Sequence, residues 1–180
     1  MAEFIINKTK HTIEIEKKYL VEANSEGRQW DKEYLIAQWY FSPAPNETKL
    51  KLIIDLKSFA KRWVRVSKQR LSSEESEKTI EYLDPLSIGL NKLLGRSFNL
   101  KRRSIMESVH LDRFILSNKR CQYLLENEGT RESLEMICRK MNLQLTEEVS
   151  NNEDYKNYHL SIPFRQSYLK TIELLLEVYQ

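Results

Sequence analysis

Short segments in which apolar and polar residues alternate run through most of the chain, and this period of two is typical of β-strands. In the clearest segment, residues 11–21, two isoleucines and a tyrosine share one face, while Glu14, Glu16 and Lys18 share the other. Short polar turns separate this segment from the later ones. The predicted strands are residues 11–21, 35–41, 48–56, 62–68, 78–83, 100–105, 109–115 and 121–128.

Three further segments carry apolar residues at helical spacing. The first begins at Asp84-Pro85, an N-cap followed by proline at the first helical position, and is expected to end at Gly95. Thr130 can cap the second, whose apolar residues lie on one face. The third is residues 166–179. Eight strands and three helices predict an α+β fold with a large antiparallel sheet, and the helices must cover part of that sheet.

Charged residues repeat at every second position within several predicted strands. These rows are Glu14, Glu16 and Lys18, then Lys49 and Lys51, then Lys101 and Arg103, and then Glu126 and Glu128. Side chains on the same face of a strand stand about 7 Å apart, so each row is a short line of charge. If the apolar face of the first strand packs beneath the helices, the charged face must contact bulk solvent or a water-filled lumen. A dry lumen is excluded, because burying each ion costs several kcal/mol.

Composition narrows the class of protein without assigning a function. The 180 residues fit a single domain over 1–180, with 41% hydrophobic and 31% charged residues. A net charge of +3 is too small to indicate nucleic-acid binding. No apolar stretch is long enough to span a bilayer, and residues 1–10 do not resemble a secretory signal. With Cys121 and Cys138 as the only cysteines, a cytoplasmic location is expected.

The order of the charged rows resembles the CYTH, or triphosphate tunnel metalloenzyme, family. That family includes thiamine triphosphatases, inorganic triphosphatases and class IV adenylyl cyclases. Glu14-Ile-Glu-Lys-Lys18 resembles its opening Glu-x-Glu-x-Lys strand. Further similar segments are Gln38–Tyr40, Val66–Lys68, Glu81-Tyr82, Lys101–Arg103, His110–Phe114, Glu126–Glu128, Glu148–Ser150 and Tyr155–Asn157. The resemblance spans Thr12 to Leu160, which is most of the chain.

The resemblance implies a closed antiparallel eight-stranded β-tunnel with helices outside, which binds a small-molecule triphosphate or nucleotide through Mg²⁺ or Mn²⁺. The residues it implies as catalytic are Glu14, Glu16 and Lys18. Those implied to bind phosphate are Lys18, Lys51, Lys68, Lys101 and Arg103. Those implied as metal ligands are Glu14, Glu16, Asp112, Glu126, Glu128 and Glu148. No nucleic acid or membrane partner is expected, and the protein is expected to be a monomer or a homodimer.

Several departures from the family pattern leave more than one function open. Lysines replace the family's Arg-x-Arg strand, with either Lys49 and Lys51 or Asp55 and Lys57 in register, and Asp154 stands where an arginine is usual. One hypothesis is a metal-dependent hydrolase of inorganic, nucleoside or thiamine triphosphate. The alternatives are a class IV adenylyl cyclase that makes cyclic AMP from ATP, and a non-catalytic triphosphate-binding or nucleotide-binding protein with a degenerate tunnel.

Overall fold

The computed structural model describes residues 5–23, 29–43, 46–72 and 75–178. The strands are β1 (Ile6–Ile15), β2 (Lys17–Ala23), β3 (Lys32–Ser42), β4 (Asn46–Asp55), β5 (Lys61–Arg70), β6 (Glu75–Leu83), β7 (Ser97–Met106), β8 (Val109–Leu116), β9 (Tyr123–Asn127), β10 (Leu143–Glu148) and β11 (Ile162–Pro163). The α-helices are α1 (Arg131–Lys140) and α2 (Gln166–Val178). The described residues thus form an antiparallel, sheet-rich α+β fold.

The sheet differs from the predicted closed eight-stranded tunnel in two respects. Its described part has 11 strands, in the hydrogen-bonded order β1-β6-β5-β4-β3-β7-β8-β9-β2-β10, with β11 paired to β7. The prediction of eight strands is wrong because the first predicted strand divides at Glu16, and because β10 and β11 were not recognised. The order is also not closed by hydrogen bonds, since β1 pairs only with β6 and β10 only with β2.

The two halves of the divided strand lie at opposite ends of the sheet order. Strand β1 pairs antiparallel with β6, whereas β2 pairs antiparallel with β9 and β10. Glu16 alone separates Ile15, the last residue of β1, from Lys17, the first of β2. The covalent chain therefore joins β1, at one end of the ladder, to β2, which lies next to the last strand at the other end.

Two apolar clusters hold the helices against the outer face of the sheet. Helix α2 contributes Leu169 and Ile172 to a cluster that contains Trp39, Leu50 and Phe98 from the strands. Helix α1 contributes Leu134, Ile137 and Cys138 to a second cluster, on β8 and β9. Burying one large apolar side chain stabilises the fold by roughly 1.5–3 kcal/mol, so these clusters supply much of the stability.

A third apolar cluster borders the charged face of the sheet. It contains Phe114, Leu124, Val149 and Leu160, all at most 8% exposed. Phe114 and Leu124 each stand two residues from a charged residue of the same strand and therefore share its face. The inner surface is consequently apolar at one end and charged beyond it.

The helix predictions hold for two of the three segments. Thr130 caps α1 through its Oγ1, which accepts a hydrogen bond of 3.2 Å from the Ser133 N–H. The 84–95 segment instead forms two short 3₁₀ helices, Pro85–Ser87 and Leu90–Leu93, because the backbone is extended at Ile88 and Gly89 between them. Helix α2 begins at Gln166 as predicted and ends at Val178, while Tyr179 lies outside the described residues.

Strand β1 departs most from its predicted environment. Ile13 and Ile15, which were expected to pack beneath a helix, are 67% and 58% exposed. Strand β1 is an edge strand, and neither apolar cluster beneath α1 or α2 includes a residue from it. In the described part of the chain no helix has the length and apolar character needed to cross a lipid bilayer.

Candidate active site

The charged faces of the strands line a channel of about 700 Å³, part of which is open to solvent. Among the described residues, nine cationic side chains and four carboxylates line it, so positive charge is in excess. The cationic residues are Lys18, Lys49, Lys51, Lys68, Arg70, Lys78, Lys101, Arg103 and Lys156. The acidic residues are Glu14, Glu16, Glu47 and Glu126. The channel therefore holds a larger positive excess than the +3 of the whole chain.

Strand alternation determines which residues of β4 face the channel. Lys49 and Lys51 line it, whereas Leu50 and Leu52, on the opposite face, are at most 1% exposed in the cluster beneath α2. Asp55 instead accepts hydrogen bonds of 2.8 and 2.9 Å from backbone N–H groups of the turn that follows β4. Of the two registers left open by the sequence, the structure places Lys49 and Lys51 at the channel.

Three carboxylates converge where β1 meets the end of β9. Oxygen atoms of Glu14, Glu16 and Glu128 all lie within 4.8 Å of one another; we call this group the acidic cluster. Lys68 Nζ lies 2.7 Å from Glu14 Oε2 and 3.0 Å from Glu16 Oε1, and Lys78 Nζ lies 2.7 Å from Glu14 Oε1. Burial would raise the pKa of Glu14, but Lys78 and Lys68 outweigh it and hold that pKa well below its ordinary value.

Glu128 is the least neutralised member of the acidic cluster. The structure describes no lysine or arginine within ion-pair distance of its carboxylate, and His110 Nδ1 is 3.5 Å from its Oε1. Burial, together with the nearby Glu14 carboxylate, raises the pKa of Glu128. Three converging carboxylates suit a hard divalent cation such as Mg²⁺ or Mn²⁺, which prefers oxygen ligands. The donor set of the cluster therefore fits the metal that the sequence implies.

A second group of ion pairs lies deeper in the fold, and we call it the buried network. It consists of Lys101, Arg103, Asp112 and Glu126. Asp112 is 0% exposed and receives Arg103 Nε at 2.7 Å and Nη2 at 2.6 Å, as well as the Lys101 ammonium. Glu126 pairs with Arg103 and lies 3.2 Å from Lys18 Nζ. Burial opposes the charge on Asp112, but Arg103 and Lys101 outweigh it and keep its pKa below the ordinary value.

Lys51 stands apart from the other cations of the channel. No carboxylate in the described ranges lies within 4.0 Å of its ammonium, whereas the neighbouring Lys49 pairs with Glu47. Burial lowers the pKa of Lys51 far below its ordinary value, and the nearby Lys49, Lys78 and Arg103 lower it further. A half-buried cation that faces other cations would be stabilised by an anion, so Lys51 is a candidate position for anion binding.

The structure brings most of the predicted site residues together. Glu14, Glu16, Lys18, Lys51, Lys68, Lys101, Arg103 and Glu126 line the channel. Glu128 joins Glu14 and Glu16 in the acidic cluster. Asp112 lies behind the channel wall, where two cations already occupy its carboxylate. Glu148 lies outside the acidic cluster: its carboxylate is 44% exposed, lies 3.9 Å from Lys17 and accepts a hydrogen bond of 3.1 Å from Ser150, so its role as a metal ligand stays a prediction.

Several channel residues were missed from the sequence. Lys78 could have been found, because it pairs directly with Lys68 in the β5–β6 register and shares its inward face. Lys156 and Asn157 come from an irregular segment without periodicity, and neither was among the predicted site residues. Asn157 Nδ2 donates a hydrogen bond of 3.1 Å to Glu126 Oε1, and its Oδ1 accepts one of 3.2 Å from Lys101.

Comparisons with known proteins identify similar solved structures only. No protein-family model matches the chain, and no curated protein sequence matches it. The crystal structure of the inorganic triphosphatase NE1496 is similar at 20% sequence identity and a TM-score of 0.45, with 84% of this chain and 97% of that chain covered. A structure described as the hypothetical protein NE1496 is similar at the same identity and TM-score, with 83% and 99% covered.

Proposed function

We propose that this protein hydrolyses a triphosphate with the help of a divalent metal ion, and that inorganic triphosphate is its substrate. One observation carries the proposal: a channel with excess positive charge contains a half-buried lysine, Lys51, without a carboxylate partner among the described residues, and it borders a cluster of three converging carboxylates. A polyanion needs cations on several sides, and a metal ion lets carboxylates lie beside phosphates. A polyphosphate bound together with a metal ion would make use of both features.

Positioning and electrostatics would supply most of the catalysis, because phosphoryl transfer needs little covalent chemistry from the protein. Glu14, Glu16 and Glu128 would hold a Mg²⁺ or Mn²⁺ ion, which neutralises charge on phosphate oxygens and lowers the pKa of bound water. Lys51 and Lys68 would bind phosphate oxygens and stabilise the charge that builds on the departing pyrophosphate. The roles of all these residues are predictions.

Lys68 and Lys78 have a further part in this scheme. In the free protein they neutralise Glu14, and Lys68 also contacts Glu16. A metal ion bound by these carboxylates competes with the two ammonium groups. The lysines would then turn toward the phosphates, so metal and substrate would bind with positive cooperativity.

The lining of the channel favours an inorganic substrate over a nucleotide or thiamine derivative. Val66 is the one apolar side chain among the described residues that line it, and no tryptophan or phenylalanine does so there. A base or thiazole ring is usually held against aromatic or apolar groups. The same observation argues against an adenylyl cyclase, which must bind adenine. We therefore place inorganic triphosphate first.

A non-catalytic binding protein is the second candidate, and one observation favours it. Lys68 and Lys78 satisfy Glu14 and Glu16 without a metal ion, so the acidic cluster can remain paired while the channel binds an anion. Such a protein would bind triphosphate tightly without releasing phosphate. Turnover in the presence of each metal separates the two candidates.

The test is phosphate release from tripolyphosphate with Mg²⁺ or Mn²⁺, measured for the wild type, Glu16→Gln and Glu148→Gln. We expect Glu16→Gln to abolish release, because one of three converging carboxylates loses its charge, and to retain the circular dichroism spectrum of the wild type. Glu148→Gln is the matched control and should keep full activity, since Glu148 lies in a separate opening. Unchanged release by Glu16→Gln would refute the catalytic assignment. Tight binding without turnover would support the binding protein.

A further inference from the structure

A smaller opening adjoins the channel at Glu16 and Lys18, and we call it the end pocket. The end pocket has about 250 Å³ of space between its side chains, part of it open to solvent. It shares Glu16, Lys18, Lys68, Arg70 and Lys156 with the channel and adds Ser72, Glu75, Ser76 and Ser150. Because five residues line both openings, an extended ligand in the channel can reach the end pocket without leaving the protein.

Ser76 gives the first indication that the end pocket binds a ligand. Its side chain lines the pocket, its residue is 2% exposed, and its buried hydroxyl has no hydrogen-bond partner among the residues that the structure describes. In the strand registers Ser76 stands between Glu14 of β1 and Arg70 of β5. A buried hydroxyl without a partner is unfavourable, so nearly all such groups in folded proteins are satisfied. A ligand oxygen in the end pocket would satisfy this one.

Lys156 gives a second, independent indication. It is 8% exposed, and no carboxylate within the described part of the chain lies within 4.0 Å of its ammonium, which donates a hydrogen bond to the Ser150 carbonyl oxygen. Burial lowers the pKa of Lys156 to about 8, and the nearby Lys18 and Arg70 contribute to this shift. Like Lys51 in the channel, Lys156 is a cation that an anion would stabilise.

Arg70 can turn toward an anion at little cost. Its Nη1 lies 3.0 Å from Glu153 Oε1, but the two side chains are 31% and 56% exposed. Exposed ion pairs of this kind contribute little stability, so a more highly charged ligand can displace Glu153. Arg70 and Lys68 share one face of β5 about 7 Å apart, a spacing that lets them contact different phosphates of one chain.

We propose that the end pocket binds one further phosphoryl group, so that the protein accepts linear polyphosphates longer than triphosphate. This inference rests on the proposed function, because the first three phosphates must occupy the channel. The bound group is a phosphoryl anion held by Arg70, Ser76 and Lys156. It can come from the fourth phosphate of a longer chain or from free orthophosphate, and the experiment below distinguishes these two sources.

The test compares binding of tripolyphosphate, tetrapolyphosphate and orthophosphate by isothermal titration calorimetry, with EDTA present so that no metal-dependent hydrolysis occurs. We expect the wild type to bind tetrapolyphosphate about tenfold more tightly than tripolyphosphate, since a charge-assisted hydrogen bond has roughly that effect. Ser76→Ala, which alters the end pocket and not the channel, should bring the two affinities to within about twofold, with little change for tripolyphosphate. Lys156→Gln, at a residue that lines both openings, should weaken binding of both polyphosphates and weaken tetrapolyphosphate more. Lys140→Gln, an exposed lysine on α1, is the matched control and should change neither.

Each outcome has a distinct meaning. Orthophosphate binding that both variants abolish identifies the free ion as an occupant, whereas a tetrapolyphosphate effect without orthophosphate binding identifies the longer chain. If the wild type binds tripolyphosphate but gains nothing from a fourth phosphate and does not bind orthophosphate, the inference is overturned and the proposed function stands. If the wild type binds neither polyphosphate in EDTA and also releases no phosphate from either one with Mg²⁺ or Mn²⁺, the proposed function itself is overturned. Ser76→Ala removes a single oxygen atom, so its effect is not expected to reflect misfolding.

Discussion

Two groups of ion pairs line the same channel but differ in how completely their charges are neutralised. In the buried network Asp112 receives both Lys101 and Arg103, and Glu126 receives Arg103 and Lys18. In the acidic cluster Glu128 has no described lysine or arginine partner, and its side chain is 35% exposed. The first group is complete without a ligand, whereas the second is not.

The difference follows from the cost of burying charge. An ion removed from water needs compensation from partners and hydrogen bonds, so the buried network can persist only because its carboxylates have several donors. The partly exposed acidic cluster tolerates incomplete compensation because water still reaches Glu128. Incomplete neutralisation near an opening is the arrangement that lets a ligand bind with a gain in free energy. We therefore assign positioning of the channel wall to the network and metal binding to the cluster.

The largest expected effect comes from breaking the buried network. Asp112→Asn keeps the shape of the side chain but leaves Lys101 without its carboxylate partner and Arg103 with Glu126 alone, in a region that is 0% exposed at Asp112. The free energy of unfolding should fall by about 3–5 kcal/mol, the usual cost of removing one member of a buried ion pair. Urea denaturation followed by circular dichroism measures this change.

The matched control is Asp154→Asn, which removes the same charge from an exposed pair with Arg120. It should change the free energy of unfolding by less than about 0.5 kcal/mol, as surface substitutions usually do. If Asp112→Asn lowered the free energy of unfolding as little as the control does, the ion pairs of Asp112 would not be what stabilises the buried network.

A smaller effect, with opposite signs for stability and binding, is expected at Lys51. Lys51→Met removes a buried cation that faces other cations, so the free energy of unfolding without ligand should rise by about 0.5–2 kcal/mol. The same variant should bind tripolyphosphate about tenfold more weakly, because it loses a charge-assisted hydrogen bond. Thermal denaturation and calorimetry measure the two quantities.

Lys57→Met, in the exposed turn after β4, is the control for both measurements and should alter neither. Loss of stability at Lys51→Met would mean that Lys51 has a favourable partner in the free protein. Unchanged tripolyphosphate affinity would remove Lys51 from the binding site.

The smallest expected effect is a change in pH dependence at Lys156. Its pKa is lowered to about 8 in the folded protein from an ordinary 10.5, with Lys18, Arg70, Glu153 and Glu16 nearby. Between these two values the unfolded chain binds a proton that the folded protein does not, so stability rises with pH. Lys156→Met should reduce that rise, and denaturation at pH 7, 8, 9 and 10 would detect it. Identical profiles for wild type and variant would contradict the assigned environment of Lys156.

Local alternation was sufficient to predict much of the fold and of the site. Period-two patterns identify the residues that share one face of a strand, so Lys49 and Lys51, and Lys101 and Arg103, could be grouped into rows, while the resemblance to a known family indicated that such rows face a channel. Capping chemistry is equally local, and Thr130 begins α1 as expected. These features depend on a few neighbouring residues, so the sequence is enough to specify them.

What the sequence could not give depends on distant parts of the chain. Ile13 and Ile15 alternate like buried residues, but whether a helix covers them depends on where α1 and α2 dock. The residues around Glu148 resemble a strand that supplies metal ligands. However, β10 pairs with β2, and Glu148 lies beside Lys17 rather than in the acidic cluster. Lys156 reaches the channel from an irregular segment, which no periodicity describes.

The break at Glu16 gives the sheet a seam. Within the described residues, β1 ends the ladder on one side and β2 lies next to the last strand on the other, and the two are joined by the covalent chain and by side-chain ion pairs rather than by backbone hydrogen bonds. We expect that the wall could part along this line without breaking a strand pair, provided that Glu16 is released by Lys68 and Lys18 and that Arg70 releases Glu153. A long polyanion would then enter the channel from the side faster than by threading through one end. A crosslink across the seam would slow the entry of a long polyanion more than the entry of a short one.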